Sequence, residues 1–416
     1  MTPDQLLGLA DQCVKCGQCL PVCPTFAKLG NEADSPRGRI SLIQGWAGGA
    51  LALSPTLNGH LDGCLGCRAC ESACPSLVEY GRLADGAKAA RAAAGSPLRR
   101  GWLRLWLGLL TQSRLTERLA RVTRFYRQLG LARLVERTGL ADWPALRPLH
   151  RLARAIPAAT APVTAGDRGA AELQIFVGCM GGLAQGRAIA ATRALLHRLD
   201  LAVRIPTTPA CCGAIHRHNG LPAAADRRRD ACARHPEDPP LVGLASACVA
   251  ELREAAGTGD TRELCDWLAP LPALETLAFQ PLRRRVLVHE PCSHRYLLGG
   301  NAAVYRLLQR IPELEVQPLP NNQTCCGAAG TYLIQQPAMA AALLADKVAA
   351  SAAAGADLIV TTNPGCALHL IAGMQEAGLA IEVCHPVELL ARQLMPIEPD
   401  TQTAQTCTSV HSINPG

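Results

Sequence analysis

Two short runs fix eight cysteines at spacings that leave few folds open. CVKCGQCLPVCP supplies Cys13, Cys16, Cys19 and Cys23, and CLGCRACESACP supplies Cys64, Cys67, Cys70 and Cys74. Each reads C-x2-C-x2-C-x3-C-P, a run whose first three thiolates wrap one face of an iron–sulfur cube. In paired runs the fourth cysteine serves the other cluster. The spacing predicts one [4Fe-4S] site of Cys13, Cys16, Cys19 and Cys74, and a second of Cys64, Cys67, Cys70 and Cys23. The proline after each fourth cysteine ends the turn. Zinc also binds C-x2-C pairs, but two complete runs speak against it. Forty residues separate Cys23 from Cys64, more than a compact bacterial ferredoxin uses. The segment FAKLGNEADSPRGRISLIQGWAGG reads partly helical, so residues 1–95 are expected to form a mainly helical, two-cluster ferredoxin-like module.

The chain has 20 cysteines in 416 residues. MTPDQLLGLADQ lacks the apolar stretch of an export signal, so a reducing compartment is expected, where clustered cysteines read as metal ligands. No apolar run is long enough to span a bilayer. The net charge of +7 is modest. With few aromatics and no recognisable motif, no nucleic-acid partner is expected. Hydrophobic residues make up 49%, enough for substantial cores.

The remaining cysteines repeat. Cys179, Cys211-Cys212-Gly213 and Cys248 are followed by Cys292, Cys325-Cys326-Gly327 and Cys366, offset by 113, 114 and 118 residues. Disulfide geometry is hard to reach between neighbouring cysteines. Adjacent thiolates on one turn of backbone suit a metal centre, and the glycine lets that turn approach closely. ELQIFVGC, RRVLVHEPC and DLIVTTNPGC are strand-like runs ending at a cysteine, with Ala/Leu-rich helical stretches between them. That alternation predicts parallel sheets, and fixed-offset similarity predicts duplicated units. The fold class expected is multidomain α/β: residues 1–95, a helical segment and linker at 96–171, repeated α/β units at 172–280 and 281–395, and a disordered tail at 396–416. Thiolates then gather at strand C-termini, where α/β sheets hold ligands.

The pattern C-x31-CCG-x34-C followed by C-x32-CCG-x38-C resembles the cysteine-rich CCG domains of the heterodisulfide reductase and glycolate oxidase group. SPRGRISLI, CCGAAGTY and NPGCALHL support the resemblance, which covers roughly residues 10–90 and 172–392. It implies metal-ligand sets of Cys179, Cys211, Cys212 and Cys248, and of Cys292, Cys325, Cys326 and Cys366. The family signature often ends in C-x2-C; here the missing cysteine is Ala245 in one repeat and Asn363 in the other. Each four-thiolate set can hold one further cluster beyond the two [4Fe-4S] clusters, and either copy can instead be structural. The resemblance further implies an electron-transfer subunit of a glycolate or other 2-hydroxy-acid oxidase complex. Its partner is then a flavin-containing oxidising subunit, and its acceptor a quinone or another membrane carrier. The location implied is cytoplasmic, at the inner face of the membrane. Two alternatives stand beside this reading: a catalytic subunit of the heterodisulfide reductase type, and the iron–sulfur subunit of a D-lactate dehydrogenase complex. A maturation or redox-sensing scaffold is a third class.

No nucleophile triad and no G-x-G-x-x-G after a strand appear, so no catalytic residue and no flavin or nicotinamide site are expected on this chain. His216, His218, His294 and His369 lie beside the cysteine motifs and are expected to hydrogen-bond sulfurs or cap turns. Cys265 and Cys384 are repeat-related and read as small buried hydrophobes. Cys232 and Cys407 have no partner pattern. Arg37 and Arg39 in SPRGR can hold cluster-adjacent backbone or a partner surface, or serve as simple structural arginines. RRGWLRLWLGLL has the make-up of a helix lying on a membrane surface, although a packing or docking helix is the preferred reading.

Overall fold

The computed structural model describes residues 1–140, 143, 146–156, 171–206, 209–232, 235, 237–254 and 260–395. Most of the expected linker, the expected tail and Cys407 lie outside the described residues.

The first module is helical, and its sequence marks each start. Pro3, Pro24, Pro36 and Pro55 occupy first-turn positions that need no N–H. Thr2 caps the first helix in a capping box with Gln5, and Ser35 and Ser54 cap two others. Pro24, expected to end a turn, begins the helix Pro24–Leu29 instead. Leu6, Ile40, Ile43, Leu57, Leu61 and Leu83 bury their side chains between these helices. The long helix Tyr80–Ala94 leads into Pro97–Leu110, Ser113–Gln128, Leu131–Arg137 and Arg147–Ala155.

Two parallel sheets follow. The first contains β1 (Leu173–Phe176), β2 (Val203–Arg204), β3 (Leu241–Gly243) and β4 (Thr261–Glu263) in the order β2-β1-β3-β4. The second contains β5 (Arg285–Val288), β6 (Glu315–Pro318), β7 (Leu358–Val360) and β8 (Glu382–Cys384) in the order β6-β5-β7-β8. All pairings are parallel. The chain leaves β1 to one side and β3 to the other, so each sheet has a switch point where a crevice opens at the strand C-termini.

One apolar core runs through both sheets, from Leu173, Ile175 and Val242 to Val286, Val288 and Val360. The repeats exchange helices across it. Gly186–Arg198 of the first packs on Pro386–Gln393 of the second, and Leu264–Leu268 packs on Ala302–Leu308. Cys265 and Cys384 lie in this core as buried small hydrophobes, as expected.

Candidate metal centres

The two cysteine runs of the helical module have one backbone design. Lys15 and Gly17 have positive φ, as do Gly66 and Arg68 at the same offsets in the second run. Left-handed residues at these positions curl each loop around its thiols. Cys13, Cys16, Cys19 and Cys74 line one cavity, which Cys70 and Tyr80 also reach. Arg37 ties down its rim: Nη1 donates to Lys15 O at 3.1 Å while the same guanidinium pairs with Glu32. Cys16 is exposed at this cavity.

Cys23, Cys64, Cys67 and Cys70 form the second group. Burial pushes the Cys70 thiol up, and neighbouring Cys67, Cys64 and Cys23 push it further. Burial also raises Cys64, but the Arg39 and Lys88 cations and the Gly66 N–H outweigh it and bring that thiol down. Arg39 is fully buried here. It donates to His60 O, Thr25 Oγ1 and Asp34 Oδ1, at 2.7, 3.0 and 3.3 Å, which joins the chain after Cys23 to the chain before Cys64.

In the sheets, Cys179 follows β1, Cys211 and Cys212 follow β2, and Cys248 stands in the first turn of Ser246–Arg253 after β3. Cys292, Cys325-Cys326 and Cys366 take the same places after β5, β6 and β7. Gly213 and Gly327 have φ of 98° and 93°. A Cβ on either would strike the carbonyl of an alanine, Ala225 or Ala340, at 2.5 and 2.8 Å. Only glycine permits both the turn and the close approach.

The first set pairs Cys179 with Cys211 and Cys212 with Cys248. The Cys179 contact lowers the Cys211 thiol against the effect of burial, with His216 and the Gly213 N–H assisting. The second set runs as a chain, Cys292 to Cys325 to Cys326 to Cys366. Asn363, which replaces a cysteine of the family pattern, caps this last helix by accepting from Gly365 and Cys366 N–H at 3.0 and 3.5 Å.

All four sets are composed of sulfur. Backbone N–H groups point at their sulfurs, among them Gly66 N to Cys64, Val78 N to Cys74 and Gly327 N to Cys325, at 3.4, 3.5 and 3.4 Å. Such N–H···S contacts are those that tune cluster thiolates. The residues present fit iron–sulfur groups.

Three features were not read from the sequence. Cys67 packs against the second set: it belongs to one apolar cluster with Cys292 and Cys325, and burial followed by the nearby Cys292 charge pushes its thiol up. Cys232 stands beside Cys211 and Cys212, and burial followed by those two sulfurs raises it to about 11. His289, at the end of β5, brings a ring nitrogen within 4.8 Å of Cys326 Sγ and Cys366 Sγ. Burial and then the Lys347 charge hold its imidazole down at about 3.

The other histidines settle into hydrogen bonds. His216 contacts Cys211, His218 faces Asp85 at 3.3 Å, and His369 faces Ala340 O at 3.2 Å. His294 bridges Thr362 and Asp266 at 2.8 and 3.1 Å. Glu263, Asp266, His294 and His385 gather between the repeats. There His385 Nδ1 accepts from Val387 N–H and His294 Nδ1 lies 3.2 Å from the Asn301 amide nitrogen. The group forms a hydrogen-bond network between the repeats.

A helical dicluster module joined to a duplicated α/β cysteine scaffold defines a multicentre iron–sulfur protein. The comparisons agree: residues 9–81 match the 4Fe-4S dicluster domain family, and residues 173–253 and 286–371 match the cysteine-rich CCG domain family. The chain is 30% identical to the glycolate oxidase iron-sulfur subunit of Escherichia coli (strain K12), over 86% of this chain and 89% of that one. It is 28% identical to the probable glycolate oxidase iron-sulfur subunit of Bacillus subtilis (strain 168), over 91% of this chain and 92% of that one. Lactate utilization protein A of Geobacillus kaustophilus is 28% identical over 53% of this chain and 98% of its own. The chain belongs to the glycolate oxidase iron-sulfur subunit family.

Proposed function

We propose that the chain carries electrons from a flavin-containing subunit, which oxidises glycolate or a related 2-hydroxy acid such as D-lactate, toward a quinone-type acceptor. Cys13, Cys16, Cys19 and Cys74 hold one [4Fe-4S] cluster, Cys64, Cys67, Cys70 and Cys23 hold a second, and the second CCG set holds one further centre. When bound, the clusters supply one-electron redox chemistry; the chain sets their spacing, burial and charge. One observation carries the reading: Cys67 lies against Cys292 and Cys325, so the helical module meets the second repeat through ligand sulfurs. Cys16 is exposed, and Val14, which lines the same cavity, is 67% exposed, a surface suited to a donor protein. This arrangement favours passage over catalysis on this chain. The experiment is EPR of the anaerobically purified complex after adding glycolate or D-lactate. Reduction of cluster signals by either acid, dependent on a co-purified flavoprotein, supports the reading. Disulfide reduction by the isolated chain would support the heterodisulfide reductase type instead.

The helices after residue 96 support a membrane acceptor. No helix among the described residues is long and apolar enough to cross a membrane. In Pro97–Leu110 only Leu107 is buried, while Trp102, Leu105 and Leu109 are exposed beside Arg99 and Arg104. Val122, Phe125 and Leu129 extend the exposed apolar surface. Apolar rings flanked by arginines suit an anionic lipid surface. Flotation with anionic vesicles tests this: Trp102→Glu should lose binding, and equal flotation of both proteins removes the membrane assignment.

A further inference from the structure

The duplication allows one repeat to serve as a control for the other. His289 lies three residues before Cys292, as Phe176 lies three before Cys179. Phe176 pairs across the ladder with Gly243. His289 extends the β5–β7 ladder by one step, donating its N–H to Val360 O at 2.9 Å, which places it beside Thr361. Gly243 and Thr361 each stand five residues before the last cysteine of their set. The first repeat therefore holds a Phe–Gly pair where the second holds a His–Thr pair.

The two pairs do different chemistry. Phe176 lies in an apolar cluster with Cys212 and Cys248, so a ring covers those sulfurs. His289 Nδ1 lies 2.9 Å from Thr361 Oγ1. A hydroxyl can accept the Nδ1 proton, which leaves Nε2 with a free lone pair. Metal-bound imidazoles are commonly oriented in this way, with the second ring nitrogen donating to a neighbour. The networked His385 lacks this option, because its Nδ1 already accepts from Val387 N–H. His289 is buried, and one ring nitrogen shares a 4.8 Å sphere with Cys326 Sγ and Cys366 Sγ.

We propose that His289, through Nε2, is a ligand of the metal centre in the second repeat, which thereby has mixed imidazole–thiolate ligation. The inference rests on the reading that the second repeat holds a centre. His289 then takes the place of one of the four thiolates, and exchanging anionic thiolate for neutral imidazole raises the reduction potential of an iron–sulfur group. The centre next to Cys67 is thus the one biased to receive an electron.

The test uses the full chain, purified anaerobically. Iron, sulfide and zinc are counted, and the reduced protein is examined by pulsed EPR with natural-abundance and 15N-histidine labelling. The H289F/T361G double variant installs the pair that the first repeat already accommodates, and His289→Gln provides a second, smaller change. The expected result is a directly bound nitrogen in the wild type, isotope-shifted by labelling and absent from both variants, with the signals of the other two clusters unchanged. If the centre is zinc, X-ray absorption at the zinc edge should show a nitrogen scatterer that the double variant loses. An all-sulfur shell, or a nitrogen coupling that survives H289F/T361G, overturns the assignment while leaving a third centre in place. About eight irons and no zinc would overturn it together with its premise. Substrate-driven reduction of the first two clusters would continue in that case, so the electron-carrier reading is judged separately.

Discussion

The two repeats share strand order, cysteine placement and the close packing of a CCG glycine on an alanine carbonyl, yet their sulfurs face different surroundings. In the first, Phe176 covers Cys212 and Cys248, and Cys232 adds a fifth thiol. In the second, His289 approaches the sulfurs and Cys67 arrives from the helical module. Counted from the packed alanines Ala225 and Ala340, the residue equivalent to Cys232 is Lys347. Lys347 is buried and donates to Asn321 O; burial lowers its pKa, against the pull of Cys326, Cys325 and Cys366. A duplicated backbone thus supplies the same four-sulfur cradle twice, and side chains one layer out give the two copies different surroundings. The comparison also shows why the repeats remain together: their common core leaves neither sheet able to bury its apolar face alone.

The largest effect should separate the copies outright. Cys325→Ser is expected to lower iron from about twelve to about eight per chain, while Cys211→Ser leaves it near twelve. Equal losses would show both repeats loaded, and no loss in either would make both structural. Next comes the buried cation of the helical module. Arg39→Met strips a counter-charge and three hydrogen bonds from the ground beside Cys64, and leaves Asp34 without its cation. The expected loss of unfolding stability is about 3 kcal/mol or more, read by denaturant unfolding under anaerobic conditions; a change below about 1 kcal/mol would show that His60, 3.1 Å from Asp34, compensates. Lys347→Met should be milder. Removing a positive charge near the second-repeat centre makes electron addition there harder, so its potential should fall while those of the first two clusters hold. Redox-titrated EPR reads this directly, and a uniform shift of all signals would mean a global rather than local effect.

Much of this was legible because metal ligation imposes short, rigid spacings. Cys13 to Cys19 and Cys64 to Cys70 declare themselves within a few residues, and the sheets appear as apolar runs ending at a cysteine. What stayed hidden depends on packing between distant segments. Cys232 lies far along the chain from Cys212, and the helix Pro222–Asp230 brings it back. Cys67 meets Cys292 only because the helical module docks on the second repeat, where Tyr332 Oη donates to Gly63 O at 3.0 Å. His289 looks like the end of a strand until Phe176 is set beside it. The helix Pro97–Leu110 was expected to pack or dock; within this chain its tryptophan face is left exposed, which sequence amphipathicity alone does not decide.

The smallest effect concerns the seam between the copies. Glu263 ends β4 of the first repeat, fully buried, and faces His385 and His294 of the second. Its Oε2 accepts from Cys265 and Asp266 N–H, while Oε1 has no hydrogen-bond partner and lies 3.8 Å from His385 Nε2. Burial raises this carboxyl from 4.5 to about 7, the nearby His294 charge opposing the rise. The fold therefore favours the protonated acid over the unfolded chain. Its contribution is greatest below the unfolded value and is lost as pH rises through about 7. Glu263→Gln keeps the cap and cannot ionise. Wild type should lose about 1 kcal/mol of stability relative to the variant between pH 6 and pH 8, the range that spans the folded pKa. Parallel stability curves would mean that Glu263 is ionised throughout, held by the histidines of the second repeat. The repeats would then be joined at this seam by charge as well as by their shared core.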